Sequence, residues 1–339
     1  MKKITLRRSH DLTLNLPGSF VPANDKNTAV KAALAFFAYT GLLAGVDMTI
    51  YKRVPVRAGM AGGSADAAGV LVGLNELYGA KLSMSELCAI GAGIGADVPF
   101  ALMGGTCRVR GVGDLMKALP PCPDCWFVVA MPSVGVSTPE AFARYDTMGS
   151  PVHPDCEAQE QAIRNNDLPG VCAAAGNALE HCSGADETPA ICKTLRAQGA
   201  VTAQMTGSGA AVFGIFDRQD AARKAVAALK SSYRQVYLCK PTRGGPFVTA
   251  RRLFGAKNVI PRRADNQMII FSPFCPYSGW KGENCYDEAY PPCAGAGGRS
   301  GAGTDCCTYR LCRLAPTHCR PGAGRHRAAA HPGQQRYMG

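Results

Sequence analysis

The sequence has 339 residues, of which 47% are hydrophobic, enough apolar material for two domains with separate cores. The formal net charge is +12, but residues 242–339 hold 14 Lys and Arg against 5 Asp and Glu, a difference of +9. The first 241 residues are therefore close to neutral and contain no basic stripe interleaved with aromatic residues. This distribution argues against nucleic-acid binding and favours a small-molecule partner.

The N-terminus and the hydropathy pattern indicate the compartment. Residues 1–8 carry several charges and no apolar signal-peptide core follows them. No stretch approaches the roughly 18 to 20 apolar residues that cross a membrane. We therefore predict a cytoplasmic protein whose 16 cysteines are reduced thiols. We also expect a monomer or homodimer.

The first part of the chain alternates between strand and helix patterns. Residues 12–16 alternate apolar and polar side chains like a half-buried strand, and residues 25–43 read as an amphipathic helix. A strand at 48–51 precedes a glycine-rich loop and a helix from Ser64 onward. Ser83 is predicted to cap the next helix in a capping box.

Pro120–Pro123 indicates a domain boundary, so we predict domains at 1–122 and 123–241 and a tail at 242–339. The second domain is predicted to contain strands and helices in alternation. These are a strand at 126–131, a helix from Thr138, helical sequence to about Gln198, a strand–loop–strand unit at 201–216, a helix at 219–229 and a strand at 235–239.

The tail shows no sustained helical or strand period, and it holds 7 of the 16 cysteines. We expect it to be disordered or non-native, for example the product of a frameshift. Metal binding by Cys306, Cys307, Cys312, His318 and Cys319 is the alternative, although their spacing fits no common zinc module.

The segment from Pro55 to Ala68 is the most informative part of the sequence. Its three glycines allow a tight backbone bend and close approach to a ligand. A helix that starts directly after such a loop directs backbone N–H groups and the positive end of its dipole toward the same point. A strand, a glycine loop and a helix in this order predict a phosphate-binding site.

Four further motifs accompany this loop: Gly95-Ala-Asp-Val-Pro-Phe100, Val136-Ser-Thr-Pro139, Asn177-Ala-Leu-Glu180 and Met205-Thr-Gly-Ser-Gly-Ala210. Together, and in this order, the five motifs resemble the GHMP kinase superfamily over about residues 1 to 240. The resemblance implies an α+β fold of two domains. The N-terminal domain would be like domain 2 of ribosomal protein S5, and the C-terminal domain would be ferredoxin-like.

Within the superfamily, the motifs are most similar to the kinases that phosphorylate the 2-hydroxyl of 4-diphosphocytidyl-2-C-methyl-D-erythritol with ATP and Mg²⁺, in non-mevalonate isoprenoid synthesis. A Pro-Ala-Lys-Ile-Asn-Leu strand and a Gly-Tyr-His segment of that family have no match here, so we expect an N-terminal truncation. The alternatives are a catalytically impaired nucleotide-binding fragment or pseudokinase, or another GHMP small-molecule kinase.

The resemblance also implies site residues. Asp97 would orient or deprotonate the acceptor hydroxyl, and the Ser64 hydroxyl would contact phosphate or Mg²⁺. The residues implied for ATP and its phosphates are Asn27, Lys52, Pro55, Ala58, Gly59, Met60, Ala61, Gly62, Gly63, Ser64 and Ala65. Those implied for the acceptor substrate are Thr138, Phe142, Asn177, Thr206, Gly207, Ser208 and Gly209.

Each role has a structural alternative. The glycines could form an ordinary tight turn, Asp97 could cap a turn, and Ser64 could be the helix N-cap. Phe142 could be a core residue and Lys52 a solvated lysine. Ala61 stands where the family usually has glycine, which is tolerable only if its φ is negative.

Two other nucleotide-binding motifs are excluded by spacing. A Rossmann fingerprint needs Gly-x-Gly-x-x-Gly, and a Walker A loop needs Gly-Lys-Ser/Thr; neither occurs in residues 55–68. Cys122-Pro-Asp-Cys125 suggests a zinc or redox site, but its proline-rich context and the absence of a second pair at zinc-finger spacing favour a linker.

Overall fold

Strand and helix bounds come from a computed structural model that describes residues 2–147, 153–250, 267–272 and 308–310. The strands are β1 Lys2–Ser9, β2 Leu12–Asn15, β3 Gly45–Tyr51, β4 Thr106–Arg110, β5 Leu115–Leu119, β6 Trp126–Ala130, β7 Thr202–Met205, β8 Val212–Phe216, β9 Val236–Cys239, β10 Phe247–Ala250, β11 Gln267–Ser272 and β12 Thr308–Arg310. The helices are α1 Thr28–Thr40, α2 Gly62–Tyr78, α3 Met84–Ile94, α4 Val98–Met103, α5 Thr138–Asp146, α6 Cys156–Arg164, α7 Leu168–Ala173, α8 Thr188–Ala197 and α9 Gln219–Lys230, with a short 3-10 helix at Glu180–Cys182.

The first sheet has the strand order β10-β11-β1-β3-β2, in which β2 and β3 are parallel and the other pairs are antiparallel. Alternate residues of its central strands, such as Ile4 and Leu6 on β1 and Met48 on β3, are buried. Helices α1, α2, α3 and α4 contribute the other side of that core, which includes Phe36 and Leu71. Period-two burial on strands and one buried face per helix produce this layered domain.

Local signals set the ends of these helices. The Asn27 side chain accepts a hydrogen bond from the Ala29 N–H at 2.9 Å, and Gly41 ends α1 in the left-handed conformation. Ser83 and Glu86 form the predicted capping box at the start of α3. The helix after the glycine loop begins at Gly62, two residues before the predicted start.

The second domain is built on a four-stranded antiparallel sheet of order β7-β8-β6-β9. Residues such as Val128 and Phe216 on one face pack against α8 and α9, which lie in the two crossovers between the strands. This order, with helices on one face, is the ferredoxin-like arrangement, and it confirms the predicted fold class. The predicted helical stretch from Thr138 to Gln198 is interrupted, because it contains α5, α6, α7, the 3-10 helix and α8 with loops between them.

The opposite face of this sheet is covered by the first domain. Phe127, Val129, Phe213 and Ile215 on that face form one buried cluster with residues of the glycine loop, namely Val54, Ala58 and Met60. The glycine loop is therefore fixed at the interface between the two domains, and not on an isolated surface.

Three strands of the tail belong to sheets, although the sequence after residue 241 shows no sustained helical or strand period. Strand β11 pairs with β1 over six residues, β10 pairs with β11, and β12 pairs with β4. Gln267–Ser272 contains a run of four consecutive apolar residues, a strand pattern that the sequence analysis overlooked. The tail cysteines and His318 lie outside the described residues. Within the described ranges, no helix is long and apolar enough to cross a membrane.

Candidate active site

The glycine loop between β3 and α2 contains three residues with left-handed backbone conformations. The φ values are +57° at Arg57, +65° at Gly59 and +46° at Ala61. The expectation that Ala61 has a negative φ is therefore wrong, because Ala61 is the residue at which the chain turns into the helix. Ser64 is the third residue of α2, so the alternative that it is the N-cap is also wrong.

The second glycine loop, at 206–210, lies between β7 and β8 and closes on itself. The Thr206 N–H donates to the Ala211 carbonyl at 2.8 Å, and the Gly209 N–H donates to the Thr206 carbonyl at 3.0 Å. Thr206 and Ser208 are 1% and 4% exposed as whole residues, so both hydroxyls are buried. Buried hydroxyls need hydrogen-bond partners, and both have one inside the protein.

The two glycine loops are hydrogen-bonded to each other along their backbones. The Ala210 and Ala211 N–H groups each donate at 3.3 Å, to the carbonyls of Arg57 and Ala58, respectively. The Thr206 hydroxyl donates to the Gly59 carbonyl at 3.3 Å. A Cβ placed on Gly59 would overlap the Thr206 carbonyl oxygen and lie 2.9 Å from the Gly209 nitrogen. Glycine is required there because the second loop occupies the space of a side chain.

Lys52 and Asp66 form a buried ion pair that joins the end of β3 to the first turns of α2. Their side chains are 11% and 3% exposed. The alternative that Lys52 is an ordinary solvated lysine is therefore wrong. The pair ties together the two elements that flank the glycine loop.

Asp97 stands immediately before α4, which packs against α2, the helix that carries Ser64. It occupies the N-cap position, but its side chain makes no capping hydrogen bond. The alternative that the Asp97 carboxylate caps the turn is therefore not supported by the geometry.

The residues implied for the acceptor substrate surround the second glycine loop. The hydroxyls of Thr138 and Ser208 lie 2.8 Å apart. The Asn177 amide donates to the carbonyls of Met205 and Gly207, both at 2.9 Å, so its contacts fix the position of the loop. Phe142 is half-buried, whereas Ala141 is the buried core residue of α5. The core alternative for Phe142 is therefore weakened.

Two residues that the sequence analysis did not select also support the loops. The Thr28 hydroxyl donates to the Gly63 carbonyl at 2.8 Å, and the Glu180 carboxylate accepts from the Met205 N–H at 2.8 Å. Glu180 ends one of the quoted motifs, which was a usable signal, whereas Thr28 had no local signal. Asn27, predicted to be near the nucleotide, uses its side-chain oxygen to cap α1 and donates its amide to the Pro22 carbonyl.

The Cys122–Cys125 motif lies behind the site, in the buried cluster that also holds Ala58 and Met60. The two sulfur atoms are 4.0 Å apart. Burial, with a smaller contribution from Cys122, raises the pKa of the nearby Cys172 thiol to about 12. No group of three or more potential metal ligands occurs in the part of the chain that the structure describes.

Comparisons with known proteins agree with this geometry. The family model for the N-terminal domain of GHMP kinases matches residues 27–105, and the model for their C-terminal domain matches residues 160–235. The 4-diphosphocytidyl-2-C-methyl-D-erythritol kinase of Levilactobacillus brevis is 38% identical over 241 residues, which cover 70% of this chain and 84% of the relative. The enzyme of the same name from Listeria monocytogenes is 36% identical over 233 residues, covering 68% and 79%.

Solved structures show the same relationship. A crystal structure of 4-(cytidine 5'-diphospho)-2C-methyl-D-erythritol kinase matches with a TM-score of 0.59 and 31% identity, covering 72% of this chain and 86% of that one. A homoserine kinase from Cytophaga hutchinsonii matches with the same TM-score and coverage at 18% identity, which indicates a shared fold alone.

Proposed function

Because this chain belongs to the 4-diphosphocytidyl-2-C-methyl-D-erythritol kinase family of GHMP kinases, we propose that it transfers the γ-phosphoryl group of ATP to the 2-hydroxyl of 4-diphosphocytidyl-2-C-methyl-D-erythritol. This reaction is a step of non-mevalonate isoprenoid precursor synthesis. The observation that carries the proposal is the backbone contact between the two glycine loops, because it joins the predicted phosphate and acceptor sites.

The phosphates of ATP would bind to the loop from Gly59 to Ser64 at the start of α2. The first turn of a helix presents backbone N–H groups and a positive dipole, which together favour an anion. The Ser64 hydroxyl lies in this first turn, where it could contact phosphate or Mg²⁺. When bound, Mg²⁺ neutralises charge on the transferring phosphoryl group.

Asp97 is the proposed catalytic residue. Its carboxylate is not used to cap α4, and α4 packs on the helix that begins at the phosphate loop. A carboxylate in such a position can accept the proton of the acceptor hydroxyl as it attacks the γ-phosphoryl group. Phosphoryl transfer depends mainly on positioning and charge neutralisation, so one carboxylate and the loop amides account for the main requirements.

The acceptor would bind on the side of the second loop that carries Thr138 and Phe142. Phe142 leaves part of its ring accessible, which suits stacking of a cytosine base. Asn177 and the Thr138–Ser208 hydroxyl pair would hold the loop as the wall of this site. Lys52, through Asp66, would support the phosphate loop from behind.

The proposal is tested by an ATP-dependent turnover assay on the purified full chain with 4-diphosphocytidyl-2-C-methyl-D-erythritol. Turnover by the wild type and a fall in kcat of about 100- to 10,000-fold in Asp97→Asn are expected, because general acid–base groups contribute about that factor. Asp217→Asn, at an exposed carboxylate after β8, is the matched control and should keep its activity.

Nucleotide binding without turnover in the wild type would instead support a non-catalytic nucleotide-binding protein. Turnover with homoserine or mevalonate, and none with the cytidine compound, would assign the chain to another GHMP activity. Equal kcat values for Asp97→Asn and the wild type would remove Asp97 from the mechanism.

A further inference from the structure

Arg57 has an unusual backbone conformation for its residue type. Its φ is +57°, in the left-handed region that glycine adopts readily and long side chains rarely occupy. Arg57 directly precedes the part of the glycine loop that we assign to the ATP phosphates. Strained residues that persist in a fold tend to cluster at functional sites, so the side chain merits a functional explanation.

The backbone of Arg57 is fixed from two sides. Its carbonyl accepts the Ala210 N–H of the second glycine loop at 3.3 Å. A Cβ placed on Gly135 would lie 3.0 Å from the Arg57 Cβ and 3.7 Å from its Cδ, so the aliphatic part of the side chain runs closely over Gly135. The side chain therefore leaves the glycine loop in the direction of the segment that leads to α5.

The guanidinium of Arg57 has no carboxylate within ion-pair distance among the described residues, and the residue is exposed. Within the described ranges, a positive charge with no carboxylate partner therefore lies beside the contact between the two loops. A guanidinium presents a planar set of donors that matches the oxygens of phosphate groups, often through two parallel hydrogen bonds.

We propose that Arg57 binds the diphosphate group of the acceptor substrate; this inference rests on the proposed function. The direction of the Arg57 side chain indicates that its ligand is the diphosphate of the acceptor and not the phosphates of ATP. Gly135 leads through Val136 and Ser137 to Thr138 and Phe142, the residues proposed for the acceptor. The ATP phosphates are assigned to the later residues of the loop, from Gly59 to the start of α2.

The experiment measures the binding of three probes, cytidine 5'-diphosphate, cytidine and ATP, to the full-length protein. Arg57→Gln removes the positive charge, and Arg57→Gly also removes the left-handed strain. Arg234→Gln is the matched control, since Arg234 is exposed and lies between α9 and β9. In both Arg57 variants the Kd for the diphosphate probe should rise by about 10- to 100-fold, as for a lost hydrogen-bonded charge, with little change for cytidine.

The stability of the variants separates lost binding from misfolding. The unfolding midpoint of Arg57→Gly should equal or exceed that of the wild type, because glycine accepts a positive φ. Lower affinity in a protein that is no less stable supports the proposal.

Three outcomes would overturn the assignment of Arg57. They are unchanged affinity for cytidine 5'-diphosphate in both Arg57 variants, a wild type that binds the diphosphate no better than cytidine, and weakened binding of ATP alone. The turnover assay of the preceding section decides the proposed function independently of these results.

Discussion

Two of the junctions between the domains have opposite character. The glycine junction consists of the backbone contacts between residues 57–59 and 206–211. The charge junction consists of the buried Glu160 on α6 and three cations, Arg108, Lys117 and Arg164, at 3.0, 2.6 and 2.8 Å. Arg108 and Lys117 come from strands β4 and β5 of the first domain, so Glu160 links them to the second domain.

The glycine junction lies at the candidate site, whereas the charge junction lies away from it, so we expect the first to matter for function and the second for stability. In the glycine junction, the two backbones are in direct contact at the candidate site, and no side-chain atom fits between them at Gly59. In the charge junction, side chains hold the domains together at a place where no site residue has been predicted. We therefore expect changes at the glycine junction to affect activity most, and changes at the charge junction to affect stability alone.

The largest effect is expected from Gly59→Ala. The added Cβ would overlap the Thr206 carbonyl at a φ of +65°, so the two loops must separate. Activity should fall by at least about 100-fold, in line with the sensitivity of catalysis to small misplacements, in the turnover assay.

The control for this change is Gly79→Ala at the end of α2, where φ is +63° and nothing lies within 4 Å of the added Cβ. It carries the same backbone strain, of about 1 kcal/mol, without the overlap, so it should lose stability and keep its activity. Equal losses of activity in the two variants would show that strain, and not contact between the loops, matters at Gly59.

The second largest effect is expected from Glu160→Gln. Removal of the carboxylate charge leaves three cations around a neutral, 7%-exposed residue, so the free energy of unfolding should fall by about 2–4 kcal/mol. Chemical denaturation measures this loss, and kcat should remain within about twofold if the junction is purely structural.

The matched control is Glu157→Gln, on the same helix. Glu157 contacts Arg108 at 3.5 Å, but its side chain is 81% exposed. An exposed pair contributes little, so this change should cost less than about 1 kcal/mol. A loss of activity in Glu160→Gln at full stability would contradict the separation of the two junctions.

The charge junction should also control the acid stability of the protein. The hydrogen bond from Lys117, followed by those from Arg164 and Arg108, lowers the pKa of Glu160 from 4.5 to about 2. The unfolded state therefore binds a proton at a higher pH than the folded state. The contribution of Glu160 is complete above about pH 4.5 and is lost as the pH falls toward 2.

Unfolding free energies measured between pH 7 and pH 3 test this dependence. The difference between the wild type and Glu160→Gln should be constant above about pH 5 and shrink below about pH 4.5. A difference that stays constant down to pH 3 would mean that Glu160 is not the group responsible.

The two junctions also differ in how much the sequence alone could predict. Glycines and a serine between a strand and a helix have a local physical meaning, so residues 55–68 were predicted to bind phosphate. The loop at 206–209 was assigned to the same site through the resemblance to the GHMP kinases. The capping box at Ser83 and the strand–loop–strand unit at 201–216 were predicted for the same reason. A structural feature can be predicted from local sequence when the residues that form it are close together in the chain.

Long-range pairings have no such signal. Glu160 meets residues that lie 43 and 52 positions away in the sequence, and Thr28 reaches a carbonyl 35 positions away. Periodicity could predict that α6 is amphipathic, but not which charges face it across the domain boundary. The pairing of Lys52 with Asp66 was missed because a lysine beside a phosphate loop is equally consistent with solvent, a ligand or an ion pair.

The smallest predicted effect concerns the local conformation of the glycine loop. Ala61 has a φ of +46° at the start of α2, and left-handed backbone costs a residue with a Cβ about 1–2 kcal/mol. Glycine removes that cost. It also raises the conformational entropy of the unfolded chain, which destabilises the folded state by about 0.4–1 kcal/mol. Ala61→Gly should therefore stabilise the protein by roughly 0.5 kcal/mol.

The sign of this change is more informative than its size. Ala65 lies four residues later, inside α2, where its backbone is not strained. Ala65→Gly therefore has the same entropic cost with no strain to relieve, and it should destabilise the protein by about 1 kcal/mol. Opposite signs for the two substitutions would establish that the loop holds Ala61 in a strained conformation. Destabilisation by both would show that residue 61 has a negative φ in solution, and that the turn into α2 depends on Gly59 rather than on Ala61.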